Sequence, residues 1–143
     1  MTSSGAVRLI GLRETHLDVE EVVAALDDEA AGGLALFVGR VRDHDGGRGV
    51  TGLEYSAHPS AADRMREVCE RVAEQYDVHG VAAVHRVGVL AVGDAAVIVA
   101  TTAAHRGEAF AASQALIDTL KAEVPIWKHQ LFADGTEEWV GSP

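Results

Sequence analysis

Two lysines stand seven residues apart, Lys121 and Lys128, in a chain whose other cations are all arginine: Arg8, Arg13, Arg40, Arg42, Arg48, Arg64, Arg66, Arg71, Arg86 and Arg106. An arginine keeps its proton at any working pH, whereas a lysine amine releases it once burial or neighbouring cations lower its pKa. The usage points to amine or proton-transfer chemistry at Lys121 and Lys128; an Arg-biased composition with two residual lysines is the alternative that composition leaves open. Two further basic clusters fall at element ends. Arg40 and Arg42 close an apolar run, and alternate residues of an extended strand project to one face. His105 and Arg106 precede a helix, whose first N–H groups favour anions. His129 and Gln130 follow Lys128 directly. Gathered together, these groups would make a pocket for a phosphate-bearing ligand; one at a time, each also fits a solvated loop charge.

Other chemistries are less well served. Seven histidines (His16, His44, His58, His79, His85, His105 and His129) include no i, i+4 pair around a glutamate, so no metal site is expected. Gly46-Gly-Arg-Gly49 lacks the lysine and spacing of a phosphate-binding loop and reads as a flexible connection. Cys69 is the only cysteine, which excludes an internal disulfide, and its place on an apolar helix face suits a buried thiol rather than a nucleophile. Trp127 and Trp139 fit either a pocket lining or core and interface anchors, the latter favoured for Trp139. Phe37 fits a pocket wall or the core equally well.

The chain has 143 residues, 48 % of them hydrophobic and 24 % charged, which suits one soluble domain over residues 1–143. A formal net charge of −10 disfavours nonspecific nucleic-acid binding but leaves room for a local basic pocket. The apolar runs are too short to cross a bilayer, and the Met-Thr-Ser-Ser-Gly start does not resemble a signal peptide, so a cytoplasmic location is expected.

The elements that must carry these groups follow from periodicity. Val7–Leu12 reads as a strand, and Asp18 as the N-cap of a helix through Leu26. Leu34–Arg42 reads as a strand running basic at its exit, and residues 43–49 as a loop. Leu53, Tyr55 and Ala57 alternate with polar residues as its expected hairpin partner. Met65, Val68, Cys69, Val72 and Tyr76 recur at helical spacing after Ser60. Val81–Val87 and Ala95–Thr102 read as strands joined by turns, followed by a helix from about Gly107 to Ala122. Pro125 ends it. Strands at Ile126–Phe132 and Glu137–Val140 close a β-α-β-β-α-β-β-α-β-β order, an α+β class with a mixed, largely antiparallel sheet and about three helices.

Several stretches in this order and spacing resemble one family along nearly the whole chain: Phe37-Val-Gly-Arg-Val-Arg-Asp-His, Leu53-Glu-Tyr-Ser-Ala-His-Pro, His85-Arg-Val-Gly, Val92-Gly-Asp, Ala104-His-Arg, Leu120-Lys and Pro125-Ile-Trp-Lys. The resemblance is to the large, catalytic subunits of molybdopterin synthase. It departs from the family pattern at Ile126, where an aromatic is commoner, and in the glycine-rich stretch from Gly46. The resemblance implies an α/β-hammerhead-like fold and a sulfurtransferase of molybdenum-cofactor biosynthesis that needs no cofactor of its own. The implied substrate is cyclic pyranopterin monophosphate, called precursor Z. The implied partner is a small ubiquitin-like sulfur carrier ending in a Gly-Gly thiocarboxylate, bound to a homodimer to give a heterotetramer. Lys121 and Lys128 match the catalytic lysines; Arg42, His105 and Arg106 match the anion pocket, with Arg40, His129 and Gln130 as further wall residues. A single cysteine independently fits sulfur supplied from outside the chain. From the residues alone, a noncatalytic anion-binding module and a cyclic-phosphate hydrolase remain alternatives, as does a degenerate paralogue.

Overall fold

The structure is a computed structural model that describes residues 5–140. The elements run β1 (Val7–Arg13), α1 (Val19–Ala25), β2 (Gly33–Arg40), β3 (His44–Asp45), β4 (Arg48–Ala57), α2 (Ala61–Gln75), β5 (Gly80–Arg86), β6 (Gly88–Ala91), β7 (Ala95–Ala103), α3 (Arg106–Glu123), β8 (Ile126–Phe132) and β9 (Glu137–Val140). The class is α+β, as the patterning predicts. Asp18 caps α1, its carboxylate accepting the Glu20 N–H at 2.9 Å.

Two sheets organise the chain. The first has the order β1-β5-β7-β2, with β1 and β5 parallel and the other pairs antiparallel. The second has the order β3-β4-β8-β9, with β6 also paired to β4, along Gly52–Tyr55. The first sheet is covered on both faces, so β5 and β7 are nearly continuous apolar runs. Val81, Ala83, Val97 and Val99 pack against α2 and α3, through Met65, Val68, Val72, Leu116 and Leu120. Ala82, Val84, Ile98 and Ala100 pack under α1 through Val22 and Leu26.

Three sequence expectations need correction. The partner of β2 is β7, not the Leu53–Ala57 strand. The glycine-rich segment is not simply a loop: Gly46 (φ 59°) and Gly47 (φ 80°) form the tight connection of a β3–β4 hairpin, with Asp45 opposite Arg48. Both positions lie in the left-handed region, which glycine enters without steric cost. Finally, Gly88 (φ 91°) is not only a turn: it turns the chain out of the first sheet so that β6 pairs with β4 in the second.

A buried hydroxyl pair ties the edge strand to the core. The Ser113 hydroxyl on α3 donates to the Ala35 carbonyl on β2 at 2.8 Å, and lies 2.9 Å from the Thr101 hydroxyl on β7. Ser113→Ala leaves that carbonyl buried without its donor. The expected loss is about 1–2 kcal/mol of unfolding free energy in urea titration, with the m-value unchanged.

Candidate active site

Lys121 occupies the last turn of α3. Val124 ends the helix, and Pro125 turns the chain into β8, which carries Lys128 back along the second sheet opposite Tyr55. Alternation along β8 then sorts the side chains. Ile126, Lys128 and Gln130 line clefts on one face. His129 belongs to the other face, where it stacks on Trp139 at 4.3 Å with an interplanar angle of 7°.

Three adjoining clefts meet at Tyr55. One is lined by Arg40, Arg42, His44, Asp45, Lys128 and Gln130. A second, of about 210 Å³, is lined by His85, Leu120, Lys121, Ile126, Lys128 and Val140. A third, of about 470 Å³, is lined by Phe37, Arg40, Arg42 and Lys121. Together they form one basin with four cations on its walls. The strand β2 ends at Arg40, so Arg42 lies just beyond it, yet both arginines reach the basin.

Of the site residues expected from sequence, the basin gathers Lys121, Lys128, Arg40, Arg42 and Gln130. It does not gather His129, which strand alternation turns away, nor His105 and Arg106. These last two lie at the N-terminus of α3, against Gly33 at the start of β2, whose added Cβ would come within 3.2 Å of the Arg106 backbone. Fifteen residues of helix separate Arg106 from Lys121, roughly 22 Å. Phe37 is 42 % exposed and lines the cleft, so it is a wall residue rather than core. Trp139 is 62 % exposed, with no place in the core.

Tyr55, His85 and Asp45 join the basin without having been assigned a role from sequence. The signal for Tyr55 was its inward position in the alternation of β4. His85 lay within a family stretch that carried no assigned chemistry.

The electrostatics favour a titratable amine. Half-burial is the main cause lowering the Lys128 pKa; Lys121 and Arg42 add to it, while Asp45 and Glu138 oppose it. Arg106 is not among the groups that act on Lys128 within the chain. Burial likewise raises the Tyr55 phenol, keeping it protonated. The Cys69 thiol is buried and pushed up to about 12, chiefly by desolvation, which makes it inert.

His85 is buried, and its ring stands edge-on to Tyr55 at 4.8 Å. Its Nδ1 lies 2.6 Å from the Arg86 carbonyl, so Nδ1 carries the proton and donates. Burial pushes its pKa down to about 4; the Arg86 carbonyl opposes this and Lys121 reinforces it. Between that value and the ordinary 6.5, the unfolded chain binds the proton and the folded chain does not. Stability is therefore expected to fall as pH drops through this window, by an order of 3 kcal/mol. Urea midpoints at pH 7 and pH 4.5 for the wild type and His85→Gln measure it; the variant is expected to lose much of the dependence.

Among the described residues, no cluster of three or more His, Cys, Asp or Glu side chains could hold a metal, and no helix is long and apolar enough to cross a membrane.

Comparison with known proteins is consistent over most of the chain. Residues 12–123 match the family model described as MoaE protein. Molybdopterin synthase catalytic subunit 1 of Mycobacterium tuberculosis is 42 % identical over 142 residues, covering 99 % of this chain and 96 % of that protein. The human molybdopterin synthase catalytic subunit is 35 % identical over 135 residues, covering 94 % of this chain and 71 % of that one. Among solved structures, molybdopterin synthase from Staphylococcus aureus superposes with a TM-score of 0.87 at 28 % identity, covering 93 % of this chain and 97 % of that one. A Burkholderia ambifaria MoaE protein superposes with a TM-score of 0.79 at 36 % identity, covering 94 % and 89 %. With this fold, and with its only two lysines on one basic basin, the chain belongs to the MoaE family of molybdopterin synthase catalytic subunits.

Proposed function

We propose that this chain is the sulfur-inserting subunit of a molybdopterin synthase, acting on cyclic pyranopterin monophosphate. The convergence of Lys121, Lys128, Arg40 and Arg42 on one basin carries the reading. The relatives are named catalytic subunits, which implies a second subunit. The one cysteine is buried and inert, so the sulfur must be delivered. A thiocarboxylate at the flexible end of a small carrier protein suits the cleft between Lys121, Lys128 and Val140.

For each sulfur, the thiocarboxylate sulfur forms a bond to a side-chain carbon of the pterin as a C–O bond of that carbon breaks; the displaced oxygen stays on the phosphate as its ring opens in one case and leaves as water in the other. Water then adds to the acyl carbon of the resulting thioester, and the acyl C–S bond breaks. Sulfur stays on the pterin, and the carrier leaves as a carboxylate. Lys121 polarises the carrier's acyl oxygen, while Lys128, whose burial favours the neutral amine, takes and returns protons. Arg40 and Arg42 hold the phosphate as its ring opens.

His105 and Arg106 enter this scheme through a second copy. The strand β2 is the edge of its sheet, flanked by exposed Leu34, Phe37 and Phe110. A two-fold axis across that edge would set β2 antiparallel to its symmetry mate. The His105–Arg106 corner beside Gly33 of one copy then falls near the Arg40 end of the other. The same apolar groove, lined by Ala35, Phe37, Phe110 and Ile117, runs into the basin through Phe37.

The test is reconstitution of the purified chain with precursor Z and thiocarboxylated carrier, following molybdopterin by fluorescence of its oxidised derivative. Product that requires the carrier supports the proposal. Turnover of the cyclic phosphate without a carrier would show a hydrolase instead.

A further inference from the structure

The basin meant for an anion contains one carboxylate. Asp45 stands on the β3–β4 hairpin and accepts from Gln130 Nε2 at 2.7 Å, across 85 residues of sequence. Its other oxygen lies 3.8 Å from Arg42 Nη2. Gln130 is 3 % exposed, so this acceptor satisfies a buried donor. Aspartate and its partners line the same cleft as Lys128.

We propose that Asp45 is a positioning residue of the basin, an internal counter-anion that holds Arg42 and Gln130 ready and competes with the phosphate of the substrate for Arg42. The hairpin geometry supports this. Gly46 and Gly47 make a connection only two residues long, which folds Asp45 back over the end of β8. Paired with Asp45, Arg42 stays at the cleft mouth until the cyclic phosphate displaces the carboxylate, an exchange that strengthens as ring opening takes the phosphate from one negative charge toward two.

The same carboxylate acts on Lys128. The groups around that amine are Asp45 and His44 from β3, Arg40 and Arg42 from the end of β2, Tyr55 from β4, His85 from β5, Lys121 from α3 and Glu138 from β9. Of these, Asp45 is the foremost influence favouring the ammonium form. Hydrogen bonding to Gln130 in turn keeps Asp45 itself ionised, below the usual carboxylate range. Removing its charge while keeping its shape therefore shifts Lys128 toward the neutral amine.

Asp45→Asn does this, because the amide oxygen still accepts from Gln130. With only two lysines in the chain, reductive ¹³C-methylation of a Lys121→Arg background leaves Lys128 as the one side-chain amine to titrate by NMR. The expected result is a Lys128 midpoint at lower pH when Asp45→Asn is added. In the otherwise wild-type enzyme, Asp45→Asn is expected to lower KM for precursor Z by roughly two- to fivefold, the range for releasing an exposed ion pair. The rising limb of its kcat–pH profile moves to lower pH. Asp45→Ala also removes the acceptor for Gln130, and kcat is expected to fall. The KM and kcat expectations rest on the proposed reaction; the titration does not. An unmoved Lys128 midpoint, or an unmoved KM in an enzyme that turns over, overturns the proposal. Failure of the wild type to turn over would sink the reaction while leaving the titration to decide Asp45.

Discussion

Replacing Lys128 with arginine is expected to lower kcat by roughly 10²–10⁴-fold, the range for loss of a positioned acid–base group, and to change KM for the pterin only a few-fold. Arginine keeps the positive charge and most of the reach, so phosphate attraction survives. It removes only the capacity to lose a proton. Lys121→Arg is expected to behave alike, with the added consequence that the carrier protein still binds but does not release its sulfur. Steady-state kinetics and a pull-down with the thiocarboxylated carrier separate these effects. If either arginine variant turns over near the wild-type rate, that lysine serves as a charge alone.

The pH dependence follows from the same amine. Burial lowers the Lys128 pKa from its ordinary value, against the pull of Asp45. A base must be neutral to accept a proton, so kcat is expected to rise with pH through that lowered value and then level off. The limb disappears in Lys128→Arg, because no group there titrates in the working range.

The sequence revealed the strongly periodic elements because their faces are set by one packing partner each. The spacing of Met65, Val68, Cys69 and Val72 already describes how α2 meets the first sheet. Two short strands escaped because so few residues carry little period: β3 is defined by its glycine turn, and β6 by the strand it joins. The pairing of β2 with β7 escaped for a different reason. Proximity in sequence suggested a hairpin, but the Gly46-Gly47 turn gives β4 its own partner and leaves β2 to pair across the sheet. At the site, the lysines were visible through residue type alone. Tyr55, His85 and Asp45 were not, since each gains its role only from register or burial. Tyr55 faces Lys128 because β4 and β8 pair in that register. His85 remains neutral because it is buried beside Tyr55 and Lys121.

Mixing two inactive variants is expected to restore activity. Arg106→Ala and Lys121→Arg remove groups that lie roughly 22 Å apart along α3 in one chain. If both belonged to one chain's site, each variant's site would remain defective in any mixture. If Arg106 instead completes the neighbour's basin across the β2 edge, a mixed dimer holds one doubly damaged site and one intact site. With random exchange at equal concentrations, half the dimers are mixed and each has one working site, so about a quarter of wild-type activity should return. Unmixed controls should stay near the low rate of each variant. Phe37→Asp, placed on the exposed apolar stretch of β2, should abolish the recovery and shift the chain toward monomer in sedimentation. No recovery from a mixture shown to exchange subunits would mean that Arg106 acts within its own chain or not at all, and that the basin of Lys121, Lys128, Arg40 and Arg42 binds the phosphate unaided. Recovery would mean that neither chain alone holds a complete site, which ties catalysis to the pairing of two sheet edges.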